Sequence, residues 1–239
     1  MTHLKSLAAP RHIPKRENVF TVCPRPGPHP KRRSIPLLIA VRDLLRLVED
    51  GKTARKLIKA GKFMVDGRAI KDPRFPLGLM DVLSIPATGD AYRVLIRPGK
   101  GLSLFKITEE EAKFKICQVV RKKHVRGGGL MIGLHDGRTV IFKDERLEQG
   151  LGFKILDSVK ISLPSQEILE QAPLETNVYA YIHTGARAGL HGKIAKIRKD
   201  VVFPDKPTAT IQTGQQLVTT LLKNIMPIGG DEAWITLPP

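Results

Sequence analysis

Two pairs of cations stand four residues apart in one short run of the chain, Lys52 with Lys56 and Arg55 with Lys59, and Lys62 follows just beyond. Residues four apart share a helix face, so this spacing lines up ammonium and guanidinium groups in a stripe able to neutralise a row of phosphates. An ordinary solvated face accounts for any single one of these charges equally well. Other chemistry finds little support. Cys23 and Cys117 lack the CxxC spacing of a zinc site or disulfide framework, and His12 and His29 have no cysteine or carboxylate at ligand spacing. Gly127-Gly128-Gly129, reached through Arg121, Lys122, Lys123 and Arg126, lacks the GK[ST] ending of a phosphate-binding P-loop and reads as a loose basic loop. Glu109 to Glu111 resemble acid–base carboxylates. Thr108 with Glu111 three residues on is a capping box, however, and a helix N-terminus favours negative charge. No catalytic residue, metal site or cofactor is expected.

Composition points the same way. The chain has 239 residues, a formal charge of +17 and a pI near 10.1, a balance that calls for a polyanionic partner, nucleic acid first. Residues 1–36 hold eight Lys and Arg against one acid, and residues 37–85 hold ten against six, so the contact surface should concentrate towards the N-terminus. Hydrophobic content of 41% supports two or three small domains, while 5% aromatic content leaves few rings for a base-stacking platform. Two distant cysteines suit a reducing cytoplasm. No apolar run is long enough to span a bilayer and no signal peptide is visible, so neither a membrane nor a small-molecule substrate is expected as a partner.

The elements that must hold these cations can be read in order. Residues 1–36 carry seven prolines among Arg11, His12, Arg25, Lys31, Arg32 and Arg33. Such a leader cannot hold a long helix and is expected to be mobile alone, taking its shape from RNA; a merely floppy basic tail is the other reading. Leu37, Val41, Leu44, Leu45 and Val48 predict one amphipathic helix with Arg42 and Arg46 on another face. Thr53 is the expected N-cap of the basic second helix and Gly61 its stop. Residues 62–70 (KFMVDGRAI) predict a hairpin turning at Asp66-Gly67, and 81–85 and 92–96 predict strands. A short helix should start at Glu109 and run towards Lys115. Strands follow at 130–134 and 138–142 around His135-Asp136-Gly137, and again at 158–163. Later, strands at 178–182 and 193–197 flank TGARAGLHG (184–192), where Gly185, Gly189 and Gly192 allow a tight loop bearing Arg187 and His191 beside Lys193.

The order of helix, basic helix, glycine, Asp-Gly hairpin and Pro-Gly loop, most specifically ARKLIKAGKFMVDG (54–67), resembles the S-four-type RNA-binding domain of ribosomal proteins, some synthetases and some pseudouridine synthases. That resemblance implies that Arg55, Lys56, Lys59 and Lys62 face RNA. The loop at 184–192 resembles the KOW motif, a small barrel touching RNA through that loop. Taken with LAAPRH (7–12), GLMDVLSI (78–85), ITEEEAKFKIC (107–117) and LKNIMPIGGDEAWITLP (222–238), the whole chain is similar to the small-subunit ribosomal protein four family of archaeal and eukaryotic type. No basic tail follows residue 237, which points to an archaeal member.

The resemblance implies an α+β, multidomain fold: a basic proline-rich leader (1–36), a helix-hairpin S-four-type domain (37–90), a central mainly β domain (91–173), and an SH3-like β-barrel with the KOW motif (174–239). It implies a cytoplasmic structural role without enzymatic activity, with small-subunit ribosomal RNA and neighbouring ribosomal proteins as partners. Two alternatives are an RNA-modifying or tRNA-charging enzyme and a KOW-containing elongation factor. The charging enzyme would need HIGH and KMSKS signatures, which the sequence lacks.

Overall fold

Five consecutive fully buried residues, Leu37 to Val41, sit at the centre of the first of two units in this computed structural model, which describes residues 3–15, 19–143, 146–214 and 216–238. The first unit comprises residues 1–115 with 162–166, and the second comprises 116–161 with 167–239.

In the first unit, β1 (His3–Lys5) pairs with β2 (Phe20–Val22), and β3 (Ile35–Pro36) leads into α1 (Leu37–Ile39). The backbone then widens into a π-turn over Ala40–Leu44, where the Leu45 amide donates to the Ala40 carbonyl at 2.9 Å. The single amphipathic helix expected through Val48 is therefore not formed. A segment buried on every side has no solvent face for a 3.6-residue stripe, and Arg46, at φ 51°, turns the chain out of helical conformation. Next come α2 (Gly51–Lys59), β4 (Met64–Val65), β5 (Arg68–Ala69), β6 (Pro76–Leu77), β7 (Val82–Ile85), β8 (Asp90–Arg97), β9 (Gly101–Ile107) and α3 (Glu109–Ala112). Strands β5-β4-β7-β8-β9 form one antiparallel sheet, and β3 pairs with β6. The boundary expected at residue 90 thus falls at the start of a strand that belongs to the preceding sheet.

Local signals behave mostly as their chemistry requires. Asp66 (φ 49°) and Gly67 (φ 76°) both adopt the left-handed conformation that a two-residue hairpin needs. Gly61 (φ 74°) stops α2. Asp50, rather than Thr53, occupies the N-cap, its carbonyl accepting from the Ala54 amide at 3.0 Å. The Thr108 hydroxyl accepts from the Glu111 amide at 3.3 Å, but α3 ends at Ala112, short of Lys115. The buried Arg93 guanidinium draws the Glu111 and Phe114 carbonyls to 2.7 and 3.1 Å, fixing the helix end where the next strand must begin.

The leader is part of this unit's core. Ala9, Ile13 and Ile35 join the cluster of Leu37, Leu38, Val41, Ile58, Phe63, Leu83 and Val94. Prolines forbid a long helix but not burial, so a pre-bent extended strap can pack without regular structure. Mobility of the leader in the free protein is corrected accordingly. Replacing Ile13, 1% exposed, by Ala should cost about 2–5 kcal/mol in urea unfolding; an unchanged midpoint would restore the mobile leader.

A second buried feature ties distant segments together. Lys115 Nζ lies 2.8 Å from Asp66 Oδ2 and 2.5 Å from Asp81 Oδ1, while His29 Nε2 lies 3.0 Å from that same Asp81 oxygen. The Gly78 and Val82 amides donate to Asp81 and Asp66 at 2.8 and 2.9 Å. Residues 162–166 return to this unit after the chain has left it: the Leu163 amide donates to the Lys113 carbonyl at 2.7 Å, and its side chain packs on Val82, Ala91 and Ile107.

The second unit takes most of β10 (Phe114–His124), from residue 116 on, then β11 (Leu130–Leu134), β12 (Thr139–Phe142), α4 (Leu147–Gly152), β13 (Ser158–Ser162) up to residue 161, and β14 (Ile168–Ala172), whose strands order as β12-β11-β10-β13-β14. Then β15 (Tyr179–Ile182), β16 (His191–Arg198), β17 (Thr208–Thr213), β18 (Gln216–Leu221) and β19 (Ile225–Pro227) form an antiparallel sheet ordered β18-β17-β16-β15-β19. Gln118, on β10, donates to the Leu156 and Ile225 carbonyls at 3.2 and 2.7 Å, joining the two sheets of this unit.

Gly192 is required for a reason different from its neighbours. Gly185 (φ 99°) and Gly189 (φ 101°) take left-handed backbone, whereas at Gly192 a Cβ would collide with the Gln212 carbonyl on the adjacent strand. Gly192→Ala should therefore lower Tm markedly, since backbone rather than a flexible side chain would have to move. A shift under 1 °C by calorimetry would show that β16 and β17 separate freely.

Candidate nucleic-acid interface

Helix α2 presents its cations as an uninterrupted exposed face. Ala54 and Ile58 are buried against the core, Leu57 is half-buried, and Lys52, Arg55, Lys56 and Lys59 all point to solvent, with exposed Lys62 beyond the Gly61 stop. The helix carries no acid, and no ion pair among the described residues occupies any of these five. Like charges four apart weaken an isolated helix. The burial of Ala54 and Ile58 offsets that repulsion and leaves the positive face available. Arg68 and Lys71, which sequence reasoning did not single out, are exposed nearby, the Lys71 stem lying close to Gly61. Their signal was a pair of cations just past the Asp-Gly turn.

Arg42 and Arg46 do not share a face. Arg42 is half-buried and forks onto Asp43 at 2.5 and 3.0 Å, its guanidinium lying beside Gly51, while Arg46 is exposed on the turn that ends the helical segment. In the leader, Lys31, Arg32 and Arg33 form an exposed 3-10 turn, and Arg11, Lys31 and Arg32 border an open groove of about 700 Å³ walled by Leu4, Ala9 and Pro10. His12 lines the same groove as a neutral wall. Burial lowers its pKa, against the effect of its bond to the Ser34 carbonyl, to which Nε2–H donates at 3.0 Å. Exposed Arg25 pairs with Asp72 at 3.1 Å.

In the second unit Arg121 and Lys123 are exposed on the outward side of β10, and Arg126 stands exposed beside Gly127 and Gly128 in the tight turn to β11. Lys122 faces the other way. Its Nζ donates to the Leu151 and Phe153 carbonyls, each at 2.7 Å, satisfying the end of α4. Arg187 is exposed in the loop after β15, and exposed Lys193 lies 3.9 Å from Asp231. His191 belongs to β16 rather than the loop and serves as a pin. Its Nε2–H donates to the Pro238 carbonyl at 3.1 Å, so in the neutral ring Nδ1 accepts from the Tyr179 hydroxyl at 3.0 Å. Among the described residues no cluster of His, Cys, Asp or Glu could hold a metal ion, and no helix is long and apolar enough to cross a membrane.

The S4 domain description matches residues 46–83, which contain α2 and the Asp-Gly hairpin. The RS4NT domain matches residues 2–32 and Ribosomal family S4e matches residues 88–168. Small ribosomal subunit protein eS4 of Methanothermobacter thermautotrophicus is 43% identical over 240 residues, spanning 99% of this chain and 96% of that protein. The chain belongs to the ribosomal S4e family. Other relatives bear the same name in Hyperthermus butylicus, at 40% identity over 99% of this chain and 95% of that protein, and Methanocaldococcus jannaschii, at 39% over 96% and 94%. The crystal structure of 30S ribosomal protein S4e from Thermoplasma acidophilum superposes with a TM-score of 0.69 at 29% identity, covering 83% of this chain and 96% of that one. The S4e family is one of ribosomal proteins rather than enzymes.

Proposed function

We propose that this chain is a structural constituent of the cytoplasmic small ribosomal subunit, binding ribosomal RNA through phosphate and shape contacts and lying against neighbouring ribosomal proteins. The observation that carries the proposal is the acid-free, exposed face of α2 inside the segment that matches the S4 domain. Lys52, Arg55, Lys56, Lys59 and Lys62 form the principal contact in this reading. Lys31, Arg32, Arg33, Arg11, Arg25 and Arg46 extend the first unit's contribution, and Arg121, Lys123, Arg126, Arg187 and Lys193 supply that of the second. Lys122, His191 and His12 instead bond backbone carbonyls, and Arg42 bonds the Asp43 carboxylate. The antiparallel strands β15 to β19, with a glycine-bent loop between β15 and β16, are read as an SH3-like barrel carrying the KOW motif. A-form RNA exposes phosphates and 2′-hydroxyls more readily than base edges, so charge and shape suffice for recognition.

Arg55→Ala with Lys59→Ala provides the test. Alanine keeps helix propensity and solvated charges contribute little to folding, so small-subunit RNA affinity should fall roughly tenfold to a hundredfold while Tm stays put. A large drop in Tm with affinity unchanged would make the pair structural and remove the main support for this function.

A further inference from the structure

The loop between β16 and β17 holds the most exposed aromatic side chain among the described residues. Phe203 is 93% exposed and its neighbour Val202 is 86% exposed, in a chain whose aromatic content is only 5%. The tip is shaped rather than frayed. Arg198 pairs with Thr208 at the end of the β16–β17 ladder, and the Asp205 amide donates to the Val202 carbonyl at 3.0 Å, closing a turn around Phe203. Exposed apolar side chains held on an ordered projection mark contact sites.

Resting on the ribosomal reading above, we infer that Val202, Phe203 and Pro204 form an anchor that inserts into an apolar pocket, rimmed by Lys or Arg, on another protein of the same particle. Charge selects protein over RNA. Lys199 and Lys206 are cancelled by Asp200 and Asp205, so residues 199–207 carry no net charge in a chain of +17. Asp205 follows the tip directly, where it would repel phosphates and attract a basic rim. An anchor of this size serves as one hot spot within a larger contact.

The test places a photo-crosslinker at the tip, Phe203→p-benzoylphenylalanine, in the full-length protein, exchanges it into salt-stripped small subunits, and locates the crosslink by mass spectrometry. The expected product joins residue 203 to an apolar protein segment with Lys or Arg beside it. A crosslink to RNA, or none, overturns the inference. In parallel, Val202→Ser with Phe203→Ser should keep Tm and affinity for isolated small-subunit RNA within about twofold, yet reduce retention on salt-washed subunits about tenfold or more. Equal retention overturns the anchor while leaving the ribosomal reading intact. Failure of the unsubstituted protein to bind ribosomal RNA or join subunits overturns both.

Discussion

Asp81→Ala should destabilise the first unit by about 3–5 kcal/mol, the cost of breaking a buried ion pair from one side. Lys115 is 1% exposed, so its ammonium would lose the Asp81 contact and keep that with Asp66, while His29 and the Gly78 amide would lose their bonds to Asp81. Burial by itself would raise the Asp81 carboxyl. The charge of Lys115, the bond and charge of His29 and the Gly78 amide outweigh burial and hold it well below the usual carboxylate range. Because the folded value is depressed, the stabilisation is complete above the unfolded value of about 3.9 and is lost as pH falls through the folded value. Urea unfolding from pH 7 to pH 2 should therefore show an acid loss in the parent that is much smaller in Asp81→Ala. His12 acts in a higher window with the opposite requirement. Its folded pKa is lowered, so the neutral ring loses ground to the unfolded chain as pH drops below about 6.5. A loss under about 1 kcal/mol for Asp81→Ala at pH 7 would mean that the cluster relaxes around water.

Affinity for small-subunit RNA should collapse with salt. If roughly 6 to 10 phosphates are neutralised, log affinity falls against log salt with a slope of about 0.7 to 0.9 per phosphate, a loss of about 10³–10⁵ between 50 and 200 mM. The four exposed cations of α2 together with Lys62 supply much of that number from a single face. Filter binding across that range gives the slope directly, and Arg55→Ala with Lys59→Ala should reduce it by close to two phosphates' worth. A shallow slope shared by parent and variant would point to base stacking instead and would contradict the phosphate reading.

Features governed by neighbouring residues were legible before the fold was known. The Asp66-Gly67 hairpin, the Thr108–Glu111 cap, the Gly61 stop and the exposed stripe on α2 each follow from spacing within a few positions. What escaped depends on distance. His29 meets Asp81 across 52 residues and Lys115 meets Asp66 across 49, so His29 read as a leader residue without ligand partners. Lys122 looked like its neighbours Arg121 and Lys123 because only the carbonyls of Leu151 and Phe153, brought close by the fold, distinguish it. The first helix failed for another reason. Periodicity describes a half-buried surface, and Leu37 to Val41 are buried on all sides.

The return of residues 162–166 to the first unit has a consequence for dissection and for synthesis. A fragment cut after Lys115 would lack Leu163, which packs on Val82, Ala91 and Ile107, and Pro164, whose ring rests against Gly67. Its complement would carry those residues as an apolar stub with nothing to cover them. The boundary between the units is therefore not a place where the gene can be divided. During translation the first unit stays unfinished until β10 to β13 have been made, so a ribosome stalled within that interval would hold a chain with an open core.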